Sequence, residues 1–343
     1  MSNSQSLEKQ IQHRLDHLTK PRGSLGQLES LVMRYCLIRQ AALPPQPRRA
    51  MFLFCADHGV TAEGVSAYPQ EVTRQMVMNF AQGGAAINVL CRAFQIDPVV
   101  VNVGVAGEPF APPVIDRSIA PGTKNFASER AMSRAEVEQA IAVGRELAAS
   151  CEAELVGLGE MGIGNTTSAA AVFSALCGLD PSATAGRGTG ITHLALEHKI
   201  QVIRDALALH RPAPEDPLDV LSAVGGFEIA AMAGFLIEAG ARHLPVVVDG
   251  FIGSVAALVA CRIRPSALDT AFFSHRSAES AHGLLLERIG VFAPLDLGMR
   301  LGEGTGAALM MNLIDTAIRL YREMATFAEA SVSESSSPGE HYR

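Results

Sequence analysis

No Lys/Arg cluster in this 343-residue chain is long enough to track a phosphate backbone, and the formal net charge is −7. Both facts argue against nucleic acid as a partner. The chain also lacks an uncharged apolar run of about 18 residues, the length that crosses a bilayer. Its nearest approach, residues 250–261, spans 12 residues and stops at Arg262, so no membrane span is expected. Neither an HExxH sequence nor a CxxC pair occurs. A zinc site would need such clustered ligands, so no metal centre is expected. The N-terminal MSNSQSLEKQIQHRLDHL is polar and periodic, unlike a secretory signal. The six cysteines, Cys36, Cys55, Cys91, Cys151, Cys177 and Cys261, lie scattered in mostly apolar contexts. They read as reduced core residues of a cytoplasmic protein.

What remains is a chain that is 48% apolar and 18% charged, which fits an α/β enzyme with internal strands. Its length suits one large domain with an appendage, or two domains. Leu7, Ile11, Leu15 and Leu18 keep helical spacing, and residues 6–40 predict two helices broken by KPRGSLG at 20–26. Residues 43–49 form a proline-rich connector. From Ala50 onward, short apolar runs end in small or acidic residues and lead into helices. These runs are 51–56, 98–105, 155–158, 245–248 and 271–273. Near-continuous apolar strands between helices predict an α/β fold with a parallel sheet and helices on both faces. Ligands of such sheets bind at the carboxyl ends of the strands. The segment 329–343 is a weakly apolar, serine-rich tail expected to lack order.

Two segments at strand–helix joints carry a carboxylate among glycines. Glu303 lies between Gly302 and Gly304, ahead of an apolar helical run at 307–314. Glu160 lies in GEMGIGNTT, after the strand at 155–158 and before a small-residue helix at 168–176. Glycines there let backbone approach a ligand, and helix N-termini attract anions. A solvated turn explains a single Gly-Glu-Gly equally well. Two such joints in one chain predict two walls of one site.

The first joint also imitates two nucleotide motifs. Residues 157–162 satisfy GxGxxG, but the acidic residue about 20 positions on, Asp180, sits in a turn rather than at a strand end. A nicotinamide-dependent oxidoreductase is therefore a weak alternative. GEMGIGNT nearly matches the P-loop, with Asn165 where the loop lysine belongs, which argues against a triphosphatase. A cradle for a monophosphate satisfies both comparisons. A further glycine-rich segment, GRGTG at 186–190, contains Gly188 and precedes a helix with Lys199. It is either part of a phosphate pocket or a solvated helix face. In SAYPQEVTRQM (66–76), Ser66, Tyr68, Arg74 and Gln75 could contact a flat ligand. Turn and cap chemistry explains Ser66 and Pro69 as well. Asp57 and His58 resemble a catalytic pair, but with no Gly-x-Ser-x-Gly elbow they read as lining or structural residues, as do His275 and Arg276. Asp249 could orient a neighbouring loop or hold a ribose.

The blocks LTKPRGSLGQLE (18–29), FCADHGVTAEGVSAYPQEVTRQM (54–76), GGAAINVL (83–90), GEMGIGNTTSAAA (159–171), VVVDGFIGSVAAL (246–258), SHRSAESAH (274–282) and LDLGMRLGEGTGAALMM (295–311) together resemble the nicotinate-nucleotide–dimethylbenzimidazole phosphoribosyltransferase family. The likeness spans about residues 7–322. It implies a Rossmann-like catalytic α/β domain over 46–306, a small helical domain built from 1–45 and 307–328, and a homodimer; no cofactor is expected. It also implies transfer of phosphoribose from nicotinate mononucleotide to 5,6-dimethylbenzimidazole, giving α-ribazole 5′-phosphate and nicotinate in the lower-ligand branch of cobalamin biosynthesis. The same chemistry on another base, such as adenine, is the alternative. By resemblance, Glu303 is the catalytic base and Glu160 the second site glutamate. Phosphate contacts fall on Gly162, Gly164, Asn165, Thr166 and Lys199, with Gly188 beside them. The base would meet Ser66 and the helix behind it, through Arg74 or Gln75.

Overall fold

The computed structural model describes residues 3–188 and 190–333. Six parallel strands form one sheet in the order β3-β2-β1-β4-β5-β6. They are β1 Arg49–Ala56, β2 Asp97–Gly104, β3 Ile115–Asp116, β4 Leu155–Met161, β5 Val246–Val248 and β6 Ala271–Phe273. The order reverses between β1 and β4, the position where open α/β sheets leave a crevice at their carboxyl edge.

Each face of the sheet has its own core, because successive strand side chains point to opposite sides. Phe52 and Phe54 of β1 join Phe173 and Phe235 on one face, under helices Arg134–Ser150, Asn165–Cys177, Phe227–Ala241 and Gly250–Ile263. Met51, Leu53 and Cys55 of the same strand face the other way. There they meet helices Asn3–His17, Gln27–Ile38, Glu71–Gln82, Ala86–Phe94 and Thr305–Glu323. All of β1 and β4 is buried, which explains why these strands read as unbroken apolar runs.

The helical unit made from both ends of the chain lies on this second face. Ile11, Leu15 and Leu18 pack in one cluster with Ile314, Ile318 and Tyr321. The Arg14 guanidinium donates to the carbonyls of Tyr321 and Arg322 at 2.9 and 3.0 Å, and the Tyr321 hydroxyl donates to the Ala42 carbonyl at 2.7 Å. The break at KPRGSLG is closed by a buried ion pair, Lys20–Glu29, at 2.8 Å. The stretch expected to lack order from residue 329 begins inside a helical turn, Phe327–Ala330, which Thr326 and Glu329 cap reciprocally. Its remainder, 334–343, lies outside the described residues.

One strand differs from its sequence reading. β4 continues through Gly159 and Glu160 to Met161, where a loop was expected, because pairing with β1 persists to Phe54↔Glu160 and Cys55↔Met161. A neighbouring strand overrides the poor strand propensity of a Gly-Glu pair. Asp249 leads directly from β5 into helix Gly250–Ile263.

Candidate active site

A cavity of about 660 Å³ opens over the carboxyl ends of the strands. Glu160 ends β4, Asp249 follows β5, His275 follows β6, and Glu303 arrives from the turn before helix Thr305–Glu323. The two glycine–glutamate segments meet backbone to backbone. A Cβ on Gly159 would overlap the amide and Cα of Gly304, and a Cβ on Gly302 would overlap a Glu160 carboxylate oxygen. Glycine is needed at 302 for a second reason. Residues 302, 303 and 304 are all left-handed, with φ of 81°, 59° and 76°. Glu303 is the residue in this run that has a side chain, and a non-glycine held there carries strain of about 1–3 kcal/mol. Such strain persists only where surrounding structure enforces it.

The carboxylates form an electrostatic group. Glu160 accepts a short hydrogen bond from the Asn165 amide. Burial, then the Asp249 and Glu228 charges, push its pKa up to about 8. Burial pushes Asp249 up to about 7 against the hydrogen bonds that favour its ionised form. Burial alone raises Glu303 to about 7. Three acids poised near neutrality in one cleft are a proton-transfer arrangement, and they titrate as a set rather than one by one. The His275 Nδ1 lies 2.9 Å from the Ser274 hydroxyl and 3.7 Å from Asp249, and burial lowers its pKa, favouring the neutral ring.

The opposite character is found around Thr166 and Gly188. Lys199, 1% exposed, donates to the Thr166 hydroxyl at 2.9 Å and the Gly186 carbonyl at 3.2 Å. It therefore stands directly behind the cavity wall rather than in solvent. Burial lowers its pKa to about 8, the mark of a cation without a full counter-charge. Arg300 lines the cavity and donates to the Gly188 carbonyl at 3.1 Å. Helix Asn165–Cys177 starts beside them with Gly164 at its N-cap and no side-chain cap. A buried lysine, an arginine and an uncapped helix start make an anion pocket.

A third part of the wall is apolar: Tyr68, Val72 and Met76 on one side, with Met161, Ile163 and Leu301 around them. Among the described residues no group of three or more His, Cys, Asp or Glu side chains is arranged to hold a metal ion.

The cavity thus gathers Tyr68, Glu160, Gly162, Asn165, Thr166, Gly188, Asp249, Gly302 and Glu303 from the residues singled out in the sequence. Lys199, Gly164 and Gly304 lie immediately behind it. Ser66, Arg74 and Gln75 do not line it. The Ser66 hydroxyl accepts from the Tyr68 amide at 3.3 Å. Arg74 stacks on Phe110 at 4.2 Å and donates to the Ala106 carbonyl, and Gln75 is exposed. Arg300, Ser277 and Glu279 are wall residues that sequence reading did not single out. Arg300 stands three positions before Glu303 in the LGMRLGEG block, which was the available signal. His58 is fully buried, between Ser168 and Glu228 at 2.9 Å each, a structural setting with no access to the cavity.

A family model described as "Phosphoribosyltransferase" matches residues 2–332. The chain belongs to this family. Named nicotinate-nucleotide–dimethylbenzimidazole phosphoribosyltransferases resemble it along nearly their whole length. The protein of Geobacter sp. (strain M21) is 50% identical over 334 residues, covering 96% of this chain and 95% of that one. The protein of Chlorobium chlorochromatii (strain CaD3) is also 50% identical, covering 96% and 94%. A crystal structure of CobT from Thermus thermophilus superposes with a TM-score of 0.91 at 46% identity, over 96% of this chain and all of that one. In this phosphoribosyltransferase the anion pocket, the apolar wall and the carboxylate group form one continuous cavity. Among the described residues no helix is long and apolar enough to cross a membrane.

Proposed function

We propose that this phosphoribosyltransferase moves the 5-phosphoribosyl group of nicotinate mononucleotide onto 5,6-dimethylbenzimidazole, yielding α-ribazole 5′-phosphate and nicotinate. The observation that carries the reading is Glu303: a strained, buried carboxylate with a raised pKa at the junction of an apolar wall and an anion pocket.

The phosphate lies at the start of helix Asn165–Cys177, against Thr166 and Gly188, with the Lys199 charge behind and Arg300 beside it. The benzimidazole lies against Val72, Met76, Met161 and Leu301. One ring nitrogen attacks the anomeric carbon as the bond to the pyridinium nitrogen breaks. That bonding pair returns to the pyridine nitrogen, so the leaving nicotinate ring needs no proton. The incoming base becomes cationic, and its other ring nitrogen holds a proton to be lost. Glu303 accepts it from about 3 Å and stabilises the positive charge as it develops. Attack on the face opposite the departing ring gives the α configuration. Glu160, tied to Asn165 and lying against Gly302, forms the floor of the site. Phosphate contacts remote from the reacting carbon supply orientation. The apolar wall favours a dimethylated benzimidazole over adenine, whose amino group would meet it unpaired. We place the enzyme in the cytoplasm as a homodimer. Exposed Phe292, Leu297 and Leu301 are the apolar surface that supports pairing.

Incubation of the pure protein with both substrates tests this. Mass spectrometry should show α-ribazole 5′-phosphate and nicotinate in equal amounts. Adenine should compete poorly. No transfer to any benzimidazole, or equal transfer to adenine, overturns the substrate assignment.

A further inference from the structure

We propose that Asp249 is a positioning residue for the base: it clamps the turn that holds Glu303 in its left-handed conformation, and it is not a ligand of the ribose. Asp249 occupies the N-cap position of helix Gly250–Ile263 but makes no side-chain cap there. Its carboxylate reaches across to a different helix. One oxygen accepts the Ala307 amide at 2.8 Å and the other accepts the Gly304 amide at 3.2 Å. Helix Thr305–Glu323 has no side-chain cap of its own, since left-handed Gly304 precedes it. Asp249 therefore neutralises a helix start that would otherwise draw the substrate phosphate.

The clamp is enclosed. A Cβ at Gly306 would overlap the His275 ring and approach an Asp249 oxygen to 2.9 Å. The His275 Nδ1 lies 3.7 Å from the same carboxylate. The turn itself is tied by Thr305, whose amide and hydroxyl both donate to the Gly302 carbonyl, at 3.1 and 2.8 Å. Glu303 projects from the middle of this turn with no partner for its carboxylate among the described hydrogen bonds. Its aim is set by its backbone, which Asp249 and Thr305 hold from either side of the turn. Misplacing a proton acceptor by about 1 Å costs on the order of 100-fold in rate.

The assignment rests on Glu303 being the base of the proposed transfer. The test is a double-mutant cycle on the full chain, with steady-state constants for both substrates. Asp249→Asn keeps the shape and one acceptor. We expect it to lower kcat roughly 10–100-fold with the KM for nicotinate mononucleotide changed less than about threefold. In the Glu303→Gln background the same substitution should cost less than about threefold, because no base remains to be aimed. A rise in that KM at unchanged kcat would make Asp249 a ribose ligand. An equal loss in both backgrounds would make its effect independent of Glu303. Either result overturns the proposal. Hydrogen exchange at the Gly304 and Ala307 amides of the unmutated protein is the second measurement. Both should exchange slowly, and fast exchange there removes the clamp however the variant folds. If the unmutated enzyme makes no α-ribazole 5′-phosphate, the substrate assignment fails, while the exchange result still decides whether the clamp exists.

Discussion

The two glycine–glutamate segments look alike in sequence and are built for different tasks. Glu160 sits on a β-strand, paired in register, with its carboxylate bonded to Asn165. The helix after it starts uncapped. Glu303 sits in a left-handed turn with no hydrogen-bond partner among the described residues, and the helix after it is capped by Asp249 from another element. One segment presents a helix start without a side-chain cap and a restrained acid, which suits holding an anion. The other presents a free acid on a stopped helix, which suits taking a proton. A carboxylate among glycines is thus not one device. Its use depends on which partner the fold gives the acid and which it gives the helix start.

Exchanging the acids for amides should break the comparison most sharply. Glu303→Gln should keep the fold and substrate binding and lower turnover by roughly 10²–10⁴-fold, the range for a lost general base. Glu160→Gln should cost clearly less, since its hydrogen bond to Asn165 can be kept. Steady-state kinetics at saturation of both substrates checks the ordering, and equal losses would erase the distinction.

At the anion end, Lys199→Ala should raise the KM for nicotinate mononucleotide by about tenfold or more while leaving that for the base within about twofold. Only the mononucleotide carries phosphate, and a charge-assisted contact is worth about 1.5–3 kcal/mol. Equal changes in the two constants would place Lys199 outside phosphate binding.

Two glycines sharpen the comparison through backbone strain. Gly178→Ala, at φ 63° with open space around it, should lose only the left-handed penalty of about 1–2 kcal/mol and keep its activity. Gly302→Ala adds a collision with Glu160, so it should lose more stability and most of its turnover. Thermal melts with parallel assays separate the two effects.

The smallest expected effect is on stability against pH. Glu160, Asp249 and Glu303 all have folded pKa values above the ordinary carboxylate range. Between pH 4.5 and about 8 the folded protein therefore holds more protons than the unfolded chain, and stability falls as pH rises through that window. Glu160→Gln should flatten this decline, giving a higher melting temperature than the unmutated protein at pH 8 and little difference near pH 5. The rate runs the other way: turnover should rise with pH through about 7 as Glu303 loses its proton. Melting curves and a pH–rate profile across pH 5–9 measure both.

The sequence by itself determined the layers and the neighbourhood of the chemistry. Unbroken apolar runs between helices can only be buried parallel strands, and glycine-flanked polar residues at their ends must gather at one edge of the sheet. The seven motif blocks carried the family. The partner of each polar group was decided by tertiary structure alone. Nothing local to VVVDG says that Asp249 caps a helix some 55 positions away, or that Lys199 on a mixed polar helix is buried behind Thr166. Nothing in YPQEVTRQM turns Arg74 toward Phe110 while Val72 and Met76 face the cavity. The periods of helix and strand are properties of a single segment and can be read along it. Hydrogen bonds and burial between distant segments depend on the three-dimensional path that brings them together. The strand pairing that carries β4 through Gly159 and Glu160 shows the same dependence at its smallest scale.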